Sequence, residues 1–186
     1  MELLKYITYL SSIVWLCIPI RQYKTRFFLF FLLLGLFDPV FISVYYLFKN
    51  DITILYLLGS SLLLQTVLFN FNAGSKSIIT ISLFIVCLIF AFYFPTKVVI
   101  LQLIIHTLIF FSFLKIFTIS YSDTRKLSLF FLILLSYEFS LLLKFFIHLT
   151  EFEVGVMYFH LTTVFQILIG IFFLFINEKN SPLIKI

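Results

Sequence analysis

The chain has 186 residues, a formal net charge of +5, and 63% hydrophobic against 11% charged residues. Soluble domains carry charge on about a quarter of their residues. With a mean hydropathy of +1.20, this composition excludes a water-soluble monomer and points to a lipid bilayer.

Seven apolar runs, at about 3–20, 27–48, 53–72, 77–94, 97–119, 127–149 and 155–176, are separated by short polar pieces. Each approaches the ~20 residues that cross ~30 Å of hydrocarbon as a helix. None alternates apolar and polar positions as a barrel strand would. The expected fold is therefore all-α and integral to the membrane: a seven-transmembrane helical bundle in a single domain, 1–186, with no soluble domain. A plasma or inner membrane is the expected location.

The first run is followed by Arg21, Lys24 and Arg26 and by no small-residue cleavage site. It reads as a retained span and not as a signal peptide. Cys17 lies in it and Cys87 in the fourth. Both read as buried small hydrophobes rather than as a disulfide or metal pair.

The second run, FLFFLLLGLFDPVFISVYYLF, holds Asp38 between Gly35 and Pro39 near its middle. Proline cannot donate to the carbonyl four residues before it, and its ring crowds that carbonyl, so a kink is expected at Gly35 and Pro39. An ionised Asp38 and the freed carbonyl both only accept hydrogen bonds. Asp38 must then be protonated, paired with a cationic side chain, or bridged by a bound cation.

The third run carries Gln65 and Asn70, and the fourth is apolar. His106 lies near the middle of the fifth, with Gln102 a turn earlier. Glu138 lies about as deep in the sixth as Asp38 does in the second. Ionisable groups at that depth cost about 2.5–3.5 kcal/mol, which makes them functional candidates. Lys115 and Lys144 sit near span ends and are expected to snorkel to the interface. The seventh run offers Gln166 and His160. It has no lysine for a retinal Schiff base, so no cofactor is expected.

Charge sets the orientation. With the N-terminus outside, Arg21, Lys24, Arg26, Lys76, Lys115, Arg125, Lys126, Lys179 and Lys185 lie inside. They outnumber the outer Lys5, Lys49, Lys97 and Lys144, which favours N-out/C-in. The positive charge serves this anchoring, so nucleic acid is not an expected partner and the lipid bilayer is.

Laying spans 1–3 on spans 5–7 brings Arg26 onto Lys126, Asp38 onto Glu138 and Asp51 onto Glu151 without a gap. The fourth span is left as a linker, a 3+1+3 plan in which the two triplets run parallel. In helix count and arrangement this resembles the sugar-carrier and PQ-loop class and, more distantly, rhodopsins. The chain contains no Pro-Gln pair.

His148, Glu151, Glu153 and His160 gather at the outer ends of spans 6 and 7 and make a weak candidate metal site. No H-E-x-x-H, G-x-S-x-G, P-loop or G-x-G-x-x-G occurs, so an enzyme is not expected. The expected function is a small carrier, coupled to protons or sodium. Its solute and ion site would draw on Asp38, Glu138, His106, Gln166 and Gly35. The alternative is a receptor-like or regulatory seven-helix subunit that binds an apolar ligand or a partner membrane protein, with a homo-oligomer as a further assembly.

Overall fold

The computed structural model describes residues 2–48, 53–69, 76–94, 97–150 and 155–185. The chain is 87% helical. Its helices are α1 (Glu2–Gln22), α2 (Phe28–Phe48), α3 (Thr53–Phe69), α4 (Lys76–Tyr93), α5 (Val98–Thr124), α6 (Leu129–Thr150) and α7 (Gly155–Phe175). A two-residue strand pair, β1 (Leu127–Ser128) and β2 (Leu183–Ile184), closes the C-terminal tail onto the start of α6. Three helical stretches, Phe28–Leu47, Val98–Thr124 and Leu129–Thr150, are long and apolar enough to cross a membrane. Asp51 and Asn70 lie outside the described residues.

Six helices form a ring. α1 packs on α2, α2 on α3, α3 on α5, α5 on α6, α6 on α7, and α7 back on α1, while α4 packs on the outside of α3. Exposed Ile85, Val86, Ile89 and Phe92 cover the free face of α4. The starts of α1, α3, α5 and α7 share one end of the ring, here the first end, with the finishes of α2 and α6. The opposite, second end carries the C-terminal tail.

Helix seams are set by small residues and freed carbonyls. A Cβ on Gly35 would lie 2.5 Å from the Trp15 carbonyl oxygen. Pro19 lies inside α1 and denies that same carbonyl its helical donor. The oxygen thus turns to the bare Cα of Gly35, so this glycine serves the approach of α1 to α2. On the other side of α1, a Cβ on Gly170 would meet Val14 at 2.7 Å. α2 itself runs as one helix through Pro39, with the Ser43 hydroxyl donating to the Pro39 carbonyl at 2.7 Å.

The second end is closed by aromatic packing. Phe27, Phe30, Phe31, Phe113, Phe130 and Phe173 are all fully buried. Phe27 meets Phe113 edge-on at 5.7 Å between ring centroids, and Phe31 meets Phe173 at 4.8 Å. Polar caps finish this end. Arg21 donates twice to the Phe175 carbonyl, at 3.2 and 3.1 Å, and Gln22 donates to the Phe173 and Ile176 carbonyls at 3.0 Å each. These satisfy carbonyls that the end of α7 leaves without helical donors. Burial pushes the Glu178 carboxyl above its ordinary value, opposed by neighbouring Arg26 and Lys179.

One boundary departs from expectation. The polar segment after residue 119 reads as a loop, yet α5 continues to Thr124. The Thr124 hydroxyl back-bonds to the Ser120 carbonyl at 2.8 Å. The helix stops at Arg125, whose φ of 55° is left-handed and whose N–H caps the Tyr121 carbonyl at 2.8 Å. Glycine usually holds that conformation, so the sequence carries no stop signal there.

Candidate functional site

A cavity of about 450 Å³ occupies the ring between its middle and its first end. Each of the six ring helices contributes one stripe, spaced as a helical face requires. α6 gives Tyr137, Leu141, Lys144 and His148, α5 gives Val99, Gln102 and His106, and α3 gives Thr53, Tyr56, Ser60 and Leu63. α1 adds Thr8, Ser11 and Trp15, α2 adds Leu34, Phe37 and Asp38, and α7 adds Thr163 and Gln166. Thr53 and Val99 begin their helices and His148 lies in the last turn of α6, so the cavity reaches the rim. Its floor is formed where Trp15 and Tyr137 meet across the ring, 4.7 Å between centroids. Below them lies the phenylalanine packing of the second end.

His106 and Glu138 form a buried pair. The imidazole Nδ1 lies 2.9 Å from the Glu138 Oε2, and the glutamate is fully buried. On its other side the ring meets Ser60, with Nε2 3.1 Å from the hydroxyl oxygen. The same hydroxyl donates to the Tyr56 carbonyl at 2.9 Å. A carbonyl only accepts and a serine has one proton, so Nε2 must carry a hydrogen toward Ser60. One further proton then lies between Nδ1 and the carboxylate. Whether it rests on the ring or on the acid, the pair is neutral overall. The second carboxylate oxygen, Oε1, is buried with no hydrogen-bond partner.

Asp38 and Lys144 face the cavity from α2 and α6. The Ser12 hydroxyl, beside Asp38, donates to the Thr8 carbonyl at 3.1 Å, and Asp38 and Lys144 lie within electrostatic reach of each other. They do not touch, whereas His106 and Glu138 are in direct contact. Of the three ways to satisfy Asp38, the geometry supplies the cationic partner, held at a distance.

Lys144 therefore departs from the snorkelling expected of it. Its ammonium turns inward and donates to the Gln166 Oε1 at 2.8 Å. The Gln166 amide in turn donates to Ser140 at 3.2 Å, and Ser140 to the Tyr137 carbonyl at 2.7 Å. The lysine stem lies on the inward stripe of α6, three residues after Leu141 and seven after Tyr137. That spacing was the available signal, obscured by the closeness of Lys144 to the helix end.

The candidate residues thus fall into layers. Asp38, His106 and Gln166 line the cavity, and Glu138 stands behind His106 rather than in the wall. Gly35 lies at the seam of α2 with α1, and Pro39 lies inside α2. Of the metal candidates, His148 is at the rim and Glu151 and Glu153 lie outside the described residues. Half-buried His160 follows them near the start of α7. Among the described residues no group of three or more His, Cys, Asp or Glu side chains is placed to hold a metal. Ser60, Trp15 and Tyr56 gave no sign in the sequence beyond their types, because the helix-to-helix register that brings them to the cavity is a tertiary property.

No protein-family model matches the chain, and neither the curated proteins nor the solved structures contain a match.

Proposed function

We propose that the chain is a seven-span membrane carrier of a small solute, coupled to protons, with its N-terminus outside. The observation that carries this reading is the rim-to-middle cavity, with Asp38, Lys144 and the His106–Glu138 pair at one end of a ring whose other end is packed shut. A carrier must expose its site to one side at a time, and this pattern suits the outward-facing state. Under this orientation the first end of the ring is the outer one.

The ring also supports the two-triplet plan. Advancing each of α1–α3 by four turns the contacts α1–α2, α2–α3 and α3–α5 into α5–α6, α6–α7 and α7–α1, all of which occur. Glu138 bonds to His106 on the preceding helix of its own triplet, α5, while Asp38 faces the cavity from α2. The related acids then do different work, with Asp38 facing the solute and Glu138 sharing a proton with His106. Between the two expected coupling ions, the proton is favoured because His106 and Glu138 already hold one. Membrane-spanning depth for all seven helices rests on the apolar runs of the sequence, three of which reach full length as described.

The test is transport in proteoliposomes carrying the full chain. An inward proton gradient should drive solute uptake, and Glu138→Gln should uncouple uptake from the gradient while leaving downhill exchange. Uptake driven by sodium alone would replace the coupling ion. Solute binding with no uptake under any gradient would favour the receptor-like subunit.

A further inference from the structure

The cavity carries two opposite formal charges that face the same space and do not meet. Asp38 enters from α2 and Lys144 from α6, and each keeps capacity to bind. The lysine uses one of its three donors on Gln166, and Ser12, beside the carboxyl, gives its one proton to the Thr8 carbonyl. The proton shared by His106 and Glu138 makes the remaining polar pair neutral, so the wall between rim and floor has no net charge.

A ligand with net charge would leave one of these two groups unmatched inside the ring, which is costly. A neutral ligand would leave the two charges matched only to each other, at a distance. A molecule bearing one positive and one negative group satisfies both at once. The rest of the wall is aromatic and aliphatic, including Trp15, Phe37, Tyr137 and Phe145, and suits an apolar body between or beside the charged ends. The volume of about 450 Å³ lies within the range of small-molecule sites, about 300–1,000 Å³.

We infer that the cavity binds an amino-carboxylate zwitterion, its ammonium group on Asp38 and its carboxylate on Lys144. Gln166 positions the lysine side chain. This rests on the cavity assigned above as the solute site, and names its ligand class.

The test is thermal unfolding of the full chain in detergent micelles, with free α-amino acids and a γ-amino acid as probes. Each is compared with its methyl ester and its decarboxylated amine, and phosphoethanolamine and glucose are added as separate arms. The expected result is a saturable rise in melting temperature with one or more amino acids that is lost with the matching ester and amine. Asp38→Asn and Lys144→Gln should each abolish the rise. In Lys144→Gln any remaining response should no longer distinguish acid from ester. If the variants fail to fold, the comparison of acid, ester and amine on the unaltered chain decides by itself. No response to any amino acid, an equal response to acid and ester, or a response confined to phosphoethanolamine or glucose would overturn the assignment. Binding and carrying separate cleanly here. An amino-acid shift without uptake into proteoliposomes keeps the zwitterion site and removes the carrier, and uptake of a charged or neutral solute without that shift does the reverse.

Discussion

The two halves of the ring are made by the same six helices and have opposite characters. Toward the first end, polar side chains such as Asp38, Ser60, His106, Lys144 and Gln166 point inward around open space. Toward the second end, Phe27, Phe30, Phe31, Phe113, Phe130 and Phe173 are fully buried and pack ring against ring. The contrast is not one of overall hydrophobicity, since exposed apolar side chains cover the outside along the whole length. It lies in which residue type each helix turns inward at each level. The polar level is tied together by bonds between neighbouring helices, such as His106 to Glu138 and Lys144 to Gln166, while the aromatic level supplies the packing that fixes the register.

Accessibility is the sharpest way to break this contrast. With Cys17 and Cys87 replaced, Thr163→Cys in the cavity wall should react with a membrane-impermeant thiol reagent. Ile109→Cys, buried at the sealed end, should not react. Equal labelling would dissolve the distinction between the two levels.

Stability gives the next largest effect. Glu138→Leu alone strands the His106 imidazole and should cost about 3–5 kcal/mol, the usual result of removing one partner of a buried pair. The double change His106→Phe with Glu138→Leu should cost clearly less than Glu138→Leu alone, because hydrophobic replacement of a whole buried pair is often tolerated. Denaturant titration in micelles reads both. A double variant worse than the single one would mean that the pair is a net stabiliser.

Gly35→Ala places a methyl against the Trp15 carbonyl and should cost about 1–3 kcal/mol by overpacking. A neutral outcome would show that α1 and α2 can separate freely at this seam. At the sealed end, Gln22→Leu removes two bonds to α7 carbonyls and should cost about 1–3 kcal/mol, given about 0.5–1.5 kcal/mol net per bond.

The smallest effect concerns Glu178. Its carboxyl value is raised on folding, so the folded state holds its proton more firmly than the unfolded chain. Its contribution is most favourable below the ordinary carboxylate value and declines as pH rises through the folded one. Glu178→Gln should leave stability unchanged in acid and raise it slightly at neutral pH, as read by melting temperature. A loss at neutral pH would show that its attraction to Arg26 outweighs its burial.

Much of the helix plan was legible in the sequence because long apolar runs and short polar breaks leave few alternatives. Asp38 and His106 were legible for the same reason, since charge in an apolar run is conspicuous. The partnership of His106 with Glu138, the inward turn of Lys144 and the part played by Ser60 were not. Each depends on which face of one helix meets which face of another, and a chain so rich in phenylalanine and leucine has no single polar face to announce that register. Pro19 shows a subtler gap. Its effect is felt four residues earlier, at a carbonyl whose partner lies on a different helix.

The strand pair at the tail has a practical side. Leu183 and Ile184 run antiparallel to Leu127 and Ser128, the Ser181 hydroxyl accepts from the Phe130 N–H at 2.9 Å, and the Pro182 carbonyl accepts from the Leu129 N–H at 3.2 Å. The tail thereby supplies acceptors to the first backbone donors of α6, a task that a capping side chain on α6 itself would otherwise perform. Anyone shortening the chain for crystallisation should keep everything through Ile184. A purification tag belongs after Ile186, outside the paired residues.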